Sequence, residues 1–280
     1  MPRPRIWYNN SHMSRIRYDL VFGLGFACSC SESLRAAKLQ LLSFPYDWIT
    51  LDLRDGTDYS HELPDRVREL ADGFRDWFSP DEFVFHRRDE GTGKDIYVSR
   101  RLRHVFNHDF PADVPFSESF PAVREKYRRR IRRLLELIRS ARRVLVVRVD
   151  RPDLPVATDV ADCQAAVRTL EEKFAPAKFD FLQLSCVAGQ EELREETFDG
   201  SVTRWTFDYR DRRPGVGSWR VDVPLLGERL RARFTVRDYR TRAERRAFAA
   251  ARRKRRYAQL GARNYLEYQI LRLFRRRKGR

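Results

Sequence analysis

Among the residues able to do chemistry, Cys28 has the most informative position. It follows the apolar run YDLVFGLG at 18–25, which is typical of a buried strand that ends in glycines. Ser29 and Glu32 have capping-box spacing, so we predict that a helix begins at Cys30. A thiol just ahead of a helix meets unpaired backbone N–H groups and the positive end of the helix dipole. Both favour the thiolate and are able to stabilise an oxyanion.

The other three cysteines are weaker candidates. Cys28 and Cys30 are two positions apart rather than three, and no second pair follows them. We therefore predict no metal site and no cofactor. Cys163 and Cys186 lie in apolar helix and strand patterns, which indicates the core. Four cysteines in 280 residues do not make a disulfide scaffold, so reduced thiols and a cytoplasmic location are the expectation.

A nucleophilic cysteine needs a base, and His108 stands out among the five histidines. It lies between Phe106 and Phe110, and in an extended segment alternation puts all three side chains on one side. Asp109 would then point the opposite way. Asp47, in the rigid turn FPYDWI, is an equally good candidate to orient the imidazole, so both aspartates stay open as orienting carboxylates.

The elements around these residues predict an α/β fold. Strand and helix patterns alternate in the order expected of a three-layer arrangement, with a mostly parallel sheet and helices on both faces. In such sheets, ligands bind beyond the carboxyl ends of the strands, which is where Cys28 falls. The segments are a strand at 18–25, a helix at 127–143, a strand at 144–149, a helix at 160–174 and a strand at 179–187.

Further segments predict elements outside this alternating series of strands and helices. A helix is predicted at 64–78 from apolar residues spaced three and four apart. A hairpin is predicted around the turn EGTGK. Extra, antiparallel strands are predicted at 205–209, 219–223 and 234–236.

Charge divides the chain. The net charge is +17, of which residues 241–280 carry +13 and the remainder +4. We predict a flexible leader at 1–16, an α/β domain at 17–240 and a basic helical tail at 241–280. The tail suits an anionic partner, either nucleic acid or an acidic surface. No apolar run approaches the roughly 18–20 residues that span a bilayer.

Several short motifs occur together in one order. They resemble segments of the bacterial papain-like cysteine peptidases, which read approximately LGSNC, YPFDWI, HDF and KYxRRIxRF. The similarity covers roughly residues 17–190. The motifs here are LGFAC at 24–28, FPYDWI at 44–49, NHDF at 107–110, KYRRRIRRLLELI at 126–138 and VLVVRV at 144–149.

The resemblance implies a cysteine peptidase with Cys28 as nucleophile and His108 as its partner. Asp47 matches the aspartate of the family's PFDW motif, and Asp109 matches that of HDF. The family's Ser-Asn before the cysteine is replaced here by Phe26-Ala27. An asparagine that would help to hold a substrate or an oxyanion is therefore missing.

Three functions follow as hypotheses. In the first, Cys28 attacks an acyl or related electrophile of a peptide, a glycan or a small amide. Trp48 would give an apolar wall, and Arg128 and Arg129 would bind anionic substrate groups. The second is a non-catalytic α/β module that binds a phosphate- or sugar-containing ligand at the same helix start. The third is nucleic-acid binding through the tail at 241–280.

Overall fold

The chain divides into two compact units, Met1–Asp238 and Tyr239–Arg280, which are described separately. The structure is a computed structural model. It describes residues 5–6, 14–25, 27–51, 62–75, 77–154, 158–254 and 258.

Strands and helices are interspersed along the first unit. The strands are β1 (Arg5–Ile6), β2 (Ile16–Tyr18), β3 (Leu20–Gly23), β4 (Ile49–Leu51), β5 (Phe83–Asp89), β6 (Lys94–Ser99), β7 (His104–Pro111), β8 (Arg143–Val149), β9 (Lys178–Cys186), β10 (Arg194–Phe198), β11 (Val202–Phe207) and β12 (Phe234–Val236). The helices are α1 (Cys28–Ala36), α2 (Glu62–Ala71), α3 (Phe116–Ser140), α4 (Val160–Phe174) and α5 (Val223–Arg233). The 3-10 helices are η1 (Pro45–Trp48) and η2 (Pro80–Glu82).

The main sheet of the described residues has six strands in the order β1-β10-β11-β9-β8-β3. β3, β8, β9 and β11 pair in parallel, whereas β10 and β1 add antiparallel pairs at one edge. Every residue from Val144 to Val149 in β8 is buried, as expected of an interior parallel strand. β12 pairs in parallel with β2 as a separate two-stranded ribbon. The strand predicted at 234–236 is therefore present, but the predicted antiparallel pairing is wrong.

One face of the main sheet packs against α1 and α5. Leu184 of β9 shares a buried cluster with Leu34 of α1 and Leu230 of α5. Gly227 lets the two helices approach, because a Cβ there would lie 2.7 Å from Cβ of Ala36. Helix α4 lies against β9, and α2 packs on α4. The position of α1, and with it Cys28, is therefore fixed by the central core.

A second sheet is antiparallel, in the order β4-β7-β6-β5. Its aromatic side chains pack on α3. The rings of Phe83 and Phe106 have centroids 5.0 Å apart, and Tyr127 of α3 lies 5.6 Å from Phe106. This aromatic core fixes β7, the strand that carries His108.

The predicted α/β class is confirmed, and α4 spans the predicted helix at 160–174. The predicted hairpin is formed by β5 and β6. The strand predicted at 219–223 is wrong: it has only an isolated bridge between Arg210 and Val221. Asp222 instead caps α5 by accepting a hydrogen bond from the backbone N–H of Leu225. The three-layer arrangement stays a prediction.

Parts of the predicted leader and tail lie outside the described residues. Within the leader, β1 pairs with β10, and residues 1–4 and 7–13 are not described. Within the second unit, a helix covers 242–254 and has mostly exposed side chains. Most of the basic residues of the tail lie beyond that helix and are not described. Within the described ranges, none of the helices combines the length and the hydrophobicity that a bilayer-spanning segment requires.

Candidate functional site

Cys28 is the first residue of α1 rather than a residue ahead of it. The N-cap is Ala27, which has extended backbone and makes no side-chain cap hydrogen bond. The predicted helix start at Cys30 with Ser29 as its cap is therefore wrong. Ser29 is buried inside the first turn, where it cannot act as the N-cap. The thiol nevertheless lies beyond the carboxyl end of β3, the expected ligand position.

Cys28 opens into a cavity of about 580 Å³, here named the Cys28 cleft. Its walls come from α1 and the η1–β4 segment, from β5 and β7, from the loop after β8, and from the segment that leads into α5. Trp48 and His108 line the cleft together with Cys28. The predicted site residues outside the lining are Asp47, Asp109, Arg128 and Arg129.

The surroundings of Cys28 oppose the ionisation of its thiol. Burial raises its pKa above the usual value, and the Glu32 carboxylate adds to the rise. The Arg220 guanidinium and the backbone N–H groups of Cys28 and Ser29 oppose the rise but do not cancel it. Among the described residues, no hydrogen bond joins Sγ of Cys28 to His108. The expected preference for thiolate is thus outweighed by burial and by a neighbouring carboxylate.

His108 reaches the cleft because β7 bulges. Residues 107–109 stand opposite a single residue of β6. As a result, Phe106 and Phe110 are both buried while His108 is exposed between them. The predicted alternation, with His108 on the side of the two aromatics, is wrong because a bulge re-aims the side chains it contains.

Trp48 is the direct neighbour of the imidazole. Its ring meets that of His108 edge-on at a centroid distance of 5.9 Å. The guanidinium of Arg35 lies 5.7 Å from the Trp48 ring. Beside them, Asn107 Nδ2 donates to Thr50 Oγ1 at 3.1 Å and joins β7 to β4. The orientation of His108 is therefore set by a ring contact and a strand junction.

Asp47 is the anchor of η1. Its Oδ2 accepts hydrogen bonds from Arg35 Nη2 at 2.9 Å, Gln40 Nε2 at 2.6 Å and the backbone N–H of Phe44 at 2.9 Å. Ser31 Oγ donates to its carbonyl at 2.6 Å and ties η1 to α1. Burial raises the pKa of Asp47, although the hydrogen bonds from these donors act to lower it. Its carboxylate is committed to the turn and makes no hydrogen bond to an imidazole.

Asp109 is committed to α3. It forms an ion pair with Lys126 and accepts a hydrogen bond from Tyr127 Oη at 2.9 Å. Its side chain is only 3% exposed. Asp109 therefore fastens the bulge of β7 to α3, and neither aspartate predicted as an orienting group is bonded to His108.

Arg128 and Arg129 are exposed on α3. Tyr127 faces the aromatic core, so the next two positions of the helix turn towards solvent. Arg128 lines a separate surface groove of about 490 Å³ with Arg132 and Arg139. The structure does not bring these arginines to the Cys28 cleft.

Two buried arginines hold the turn that precedes α1. Arg148 Nη1 donates to the carbonyl of Leu24 at 3.0 Å, and Arg66 Nη1 donates to that of Gly25 at 2.5 Å. Glu62 forms ion pairs with both arginines. Sequence reasoning missed this support, although an arginine inside the apolar run VLVVRV was a usable signal.

A hairpin-like segment at 209–222 forms the cleft wall that sequence reasoning missed. Arg210 and Val221 bridge its two arms. The segment carries Trp219 and Arg220 to the cleft. The Arg220 guanidinium lies 4.8 Å from the Trp219 ring, and Trp219 is 41% exposed. No local pattern distinguished this segment from an ordinary loop.

Glu32 also lines the cleft. It lies four residues after Cys28 in the same helix, so both side chains share one face. Among the described residues it has no hydrogen bond or ion pair. The sequence prediction used Glu32 only as part of a capping box. With a helix that begins at Cys28, the spacing of four residues would have predicted Glu32 on the same face as Cys28.

These features define a mixed α/β protein with a cysteine thiol in the lining of a cleft. No three or more of the described His, Cys, Asp and Glu side chains are grouped to hold a metal ion. Comparisons with protein-family models, curated proteins and solved structures found no match.

Proposed function

We propose that the protein is a cysteine-nucleophile hydrolase or acyl transferase of papain-like type. The observation that supports it is the shared cleft: Cys28 and His108, 80 positions apart in the chain, line one cavity with Trp48. The motif resemblance to papain-like cysteine peptidases points to the same two residues.

In the proposed reaction, the sulfur of Cys28 attacks an acyl carbon while its proton passes to His108. The backbone N–H groups of Cys28 and Ser29 lie close enough to lower the pKa of the thiol, and they are suited to binding the developing oxyanion. Collapse of this intermediate breaks the bond to the leaving group, which takes the proton from His108. The product is a thioester on Cys28. Asp47 acts as a positioning residue for the turn that carries Trp48.

The substrate class proposed is a peptide, a glycan or a small amide, and the location proposed is the cytoplasm. The proposal retains the expected three-layer arrangement of helices about the main sheet. Ala27 stands at the N-cap where the family has asparagine, and Phe26 lies outside the described residues. An oxyanion would consequently depend on backbone donors rather than on a side-chain amide.

Acetylation by p-nitrophenyl acetate, followed by peptide mass spectrometry, tests the proposal. We expect a burst of p-nitrophenol and an acetyl group on Cys28. Cys28→Ala should abolish the burst, and His108→Asn should slow it by roughly a hundredfold. Cys186→Ala removes a half-buried thiol outside the cleft and should change nothing. Equal acetylation of Cys28 and Cys186, or a normal burst without Cys28, would reject the enzyme.

A second candidate is a binding module for a phosphate- or sugar-containing ligand at the start of α1. The observation that favours it is that, among the described residues, no hydrogen bond joins Sγ of Cys28 to His108. Burial also raises the pKa of the thiol. Titration with glucose 1-phosphate, followed by NMR or calorimetry, tests it. A binding module should keep its affinity in Cys28→Ser and form no covalent adduct. Loss of binding in Arg220→Gln alone would favour this candidate over catalysis.

A further inference from the structure

We propose that Glu32 is the general base for the water that releases the acyl group from Cys28, which makes the protein a hydrolase rather than a transferase. This inference rests on the proposed function of Cys28 as nucleophile. It gives a catalytic role to a residue outside the Cys–His pair.

The position of Glu32 carries the argument. Cys28 and Glu32 occupy one face of α1 and both line the cleft. Residues four apart in a helix have Cβ atoms about 5–6 Å apart, which leaves room for one water between a thioester and a carboxylate. Helical side chains lean towards the N-terminus, so Glu32 leans over the turn that carries Cys28.

Among the described residues, Glu32 is also the cleft carboxylate that makes no hydrogen bond or ion pair with another side chain or with the backbone. Asp211 is held by Arg213, with Nη2 and Oδ2 2.6 Å apart. Asp89 accepts from the backbone N–H groups of its own turn at 3.1 and 3.3 Å. A base must keep a lone pair available for water, and Glu32 does so.

The proposed step balances as follows. Water oxygen attacks the thioester carbon while Glu32 takes one proton from that water. The tetrahedral intermediate breaks its C–S bond and gives the carboxylic acid. Cys28 thiolate then takes the proton from Glu32, so both side chains return to their resting states. No oxidant, metal or second substrate is needed.

The test compares two rates in the same variant. In Glu32→Gln, the acetyl group on Cys28 should persist roughly a hundredfold longer than in the wild type. Alkylation of free Cys28 by iodoacetamide at pH 7 should instead become faster, because the variant removes a charge that raises the thiol pKa. Glu32→Asp should recover part of the deacetylation rate. Asp89→Asn, which removes another carboxylate of the cleft, is the matched control and should deacetylate normally.

The outcomes separate the two proposals. If Cys28 is never acetylated, the nucleophile and the base are both rejected. If Cys28 is acetylated and Glu32→Gln deacetylates at the wild-type rate, Glu32 is rejected while the nucleophile stands. Slower deacetylation together with slower alkylation would indicate structural damage and would also reject Glu32 as the base.

Discussion

Gly25 and Cys30 are in such close contact that no side chain fits between them. A Cβ placed on Gly25 would lie 2.4 Å from Cβ of Cys30 and 3.0 Å from its Sγ. At Gly23 the conflict differs: a Cβ there would lie 2.7 Å from Sγ of Cys30 but 3.7 Å from its Cβ. Cys30 is thus a packing residue that sets how closely the turn before Cys28 approaches α1.

Alanine at either glycine should destabilise the protein by about 1–3 kcal/mol because it overpacks the turn. Cys30→Ala removes the sulfur and keeps Cβ, so it should rescue Gly23→Ala but not Gly25→Ala. Urea unfolding of the single and double variants measures both couplings. Gly91→Ala, in an exposed turn, is the control. Equal rescue of the two glycine variants would contradict the contact described.

Arg220 should control the acidity of Cys28 from across the cleft. Its guanidinium lowers the pKa of the thiol, so Arg220→Gln should raise that pKa and slow alkylation by iodoacetamide at pH 7–8 by roughly twofold to fivefold. Arg151 also lines the cleft but is paired with Asp153 at 2.6 Å, so Arg151→Gln should leave the rate unchanged. The pH dependence of alkylation is the measurement. Identical profiles for wild type and Arg220→Gln would show that Arg220 does not act on the thiol.

Asp47 should matter as an acceptor of hydrogen bonds rather than as a charge. Asp47→Ala leaves the donors of Arg35, Gln40 and Phe44 unsatisfied and should cost about 2–4 kcal/mol. Asp47→Asn keeps an acceptor oxygen in place and should cost less than about 1 kcal/mol, since burial already opposes ionisation at this site.

Urea unfolding and the Cys28 acetylation rate together check this expectation. If Asp47 acted as a charged partner of His108, the Asn variant would lose acetylation while staying stable. Asp65→Asn, at an exposed pair with Arg68 whose side chains are 51% and 69% exposed, is the control. It should change stability by only a few tenths of a kcal/mol.

Glu69 should make stability depend on pH. Burial raises its pKa from 4.5 to about 7. It accepts hydrogen bonds from Tyr46 Oη at 2.7 Å and Trp77 Nε1 at 3.1 Å, and it faces His104 at 3.7 Å and the charge of Arg66. The pKa of His104 is held well below its usual value by burial and by arginine charges. The carboxyl therefore has no protonated imidazole to pair with.

The protonated carboxyl of Glu69 is the form that the fold favours. The stability linked to it is complete below about pH 4.5 and is lost as pH rises through about 7. The glutamine side chain of Glu69→Gln stays neutral at every pH. The free energy of unfolding of this variant, relative to that of the wild type, should therefore rise by up to about 3 kcal/mol between pH 5 and pH 8. Urea unfolding across this range, with the exposed Glu125→Gln as control, measures the gain. A constant difference between Glu69→Gln and wild type would exclude the ionisation.

Local periodicity was sufficient for the most apolar elements but not for the bounds of the amphipathic helices. The helix predicted at 127–143 runs from Phe116 to Ser140, and the helix predicted at 64–78 ends at Ala71. β8 and β9 were predicted within one residue at each end, and α4 at its observed bounds. In these elements the residues that become buried form a pattern that can be recognised within a short stretch of sequence. The start of α1 was missed because Ala27 caps without a side-chain bond and so leaves no sequence signal.

The candidate site was harder to predict because its geometry depends on partners distant in sequence. Cys28, Trp48 and His108 were selected from the chain, and the structure places them in one cleft. The bulge that exposes His108 arises only in pairing with β6, so simple alternation failed there. Tertiary contacts, which no local pattern encodes, also decide the rest of the site. They pair Asp47 and Asp109 with other partners, and they bring Trp219 and Arg220 to the cleft.

The walls of the Cys28 cleft come from stretches that begin at residue 27 and end at residue 224. Such a site depends on contacts of long sequence separation, which carry a high cost in loop-closure entropy. During synthesis, a ribosome must pass the segment at 209–222 before Trp219 and Arg220 can close the cleft around the thiol. A nascent chain therefore carries Cys28 for most of its translation without the surroundings that would tune its chemistry.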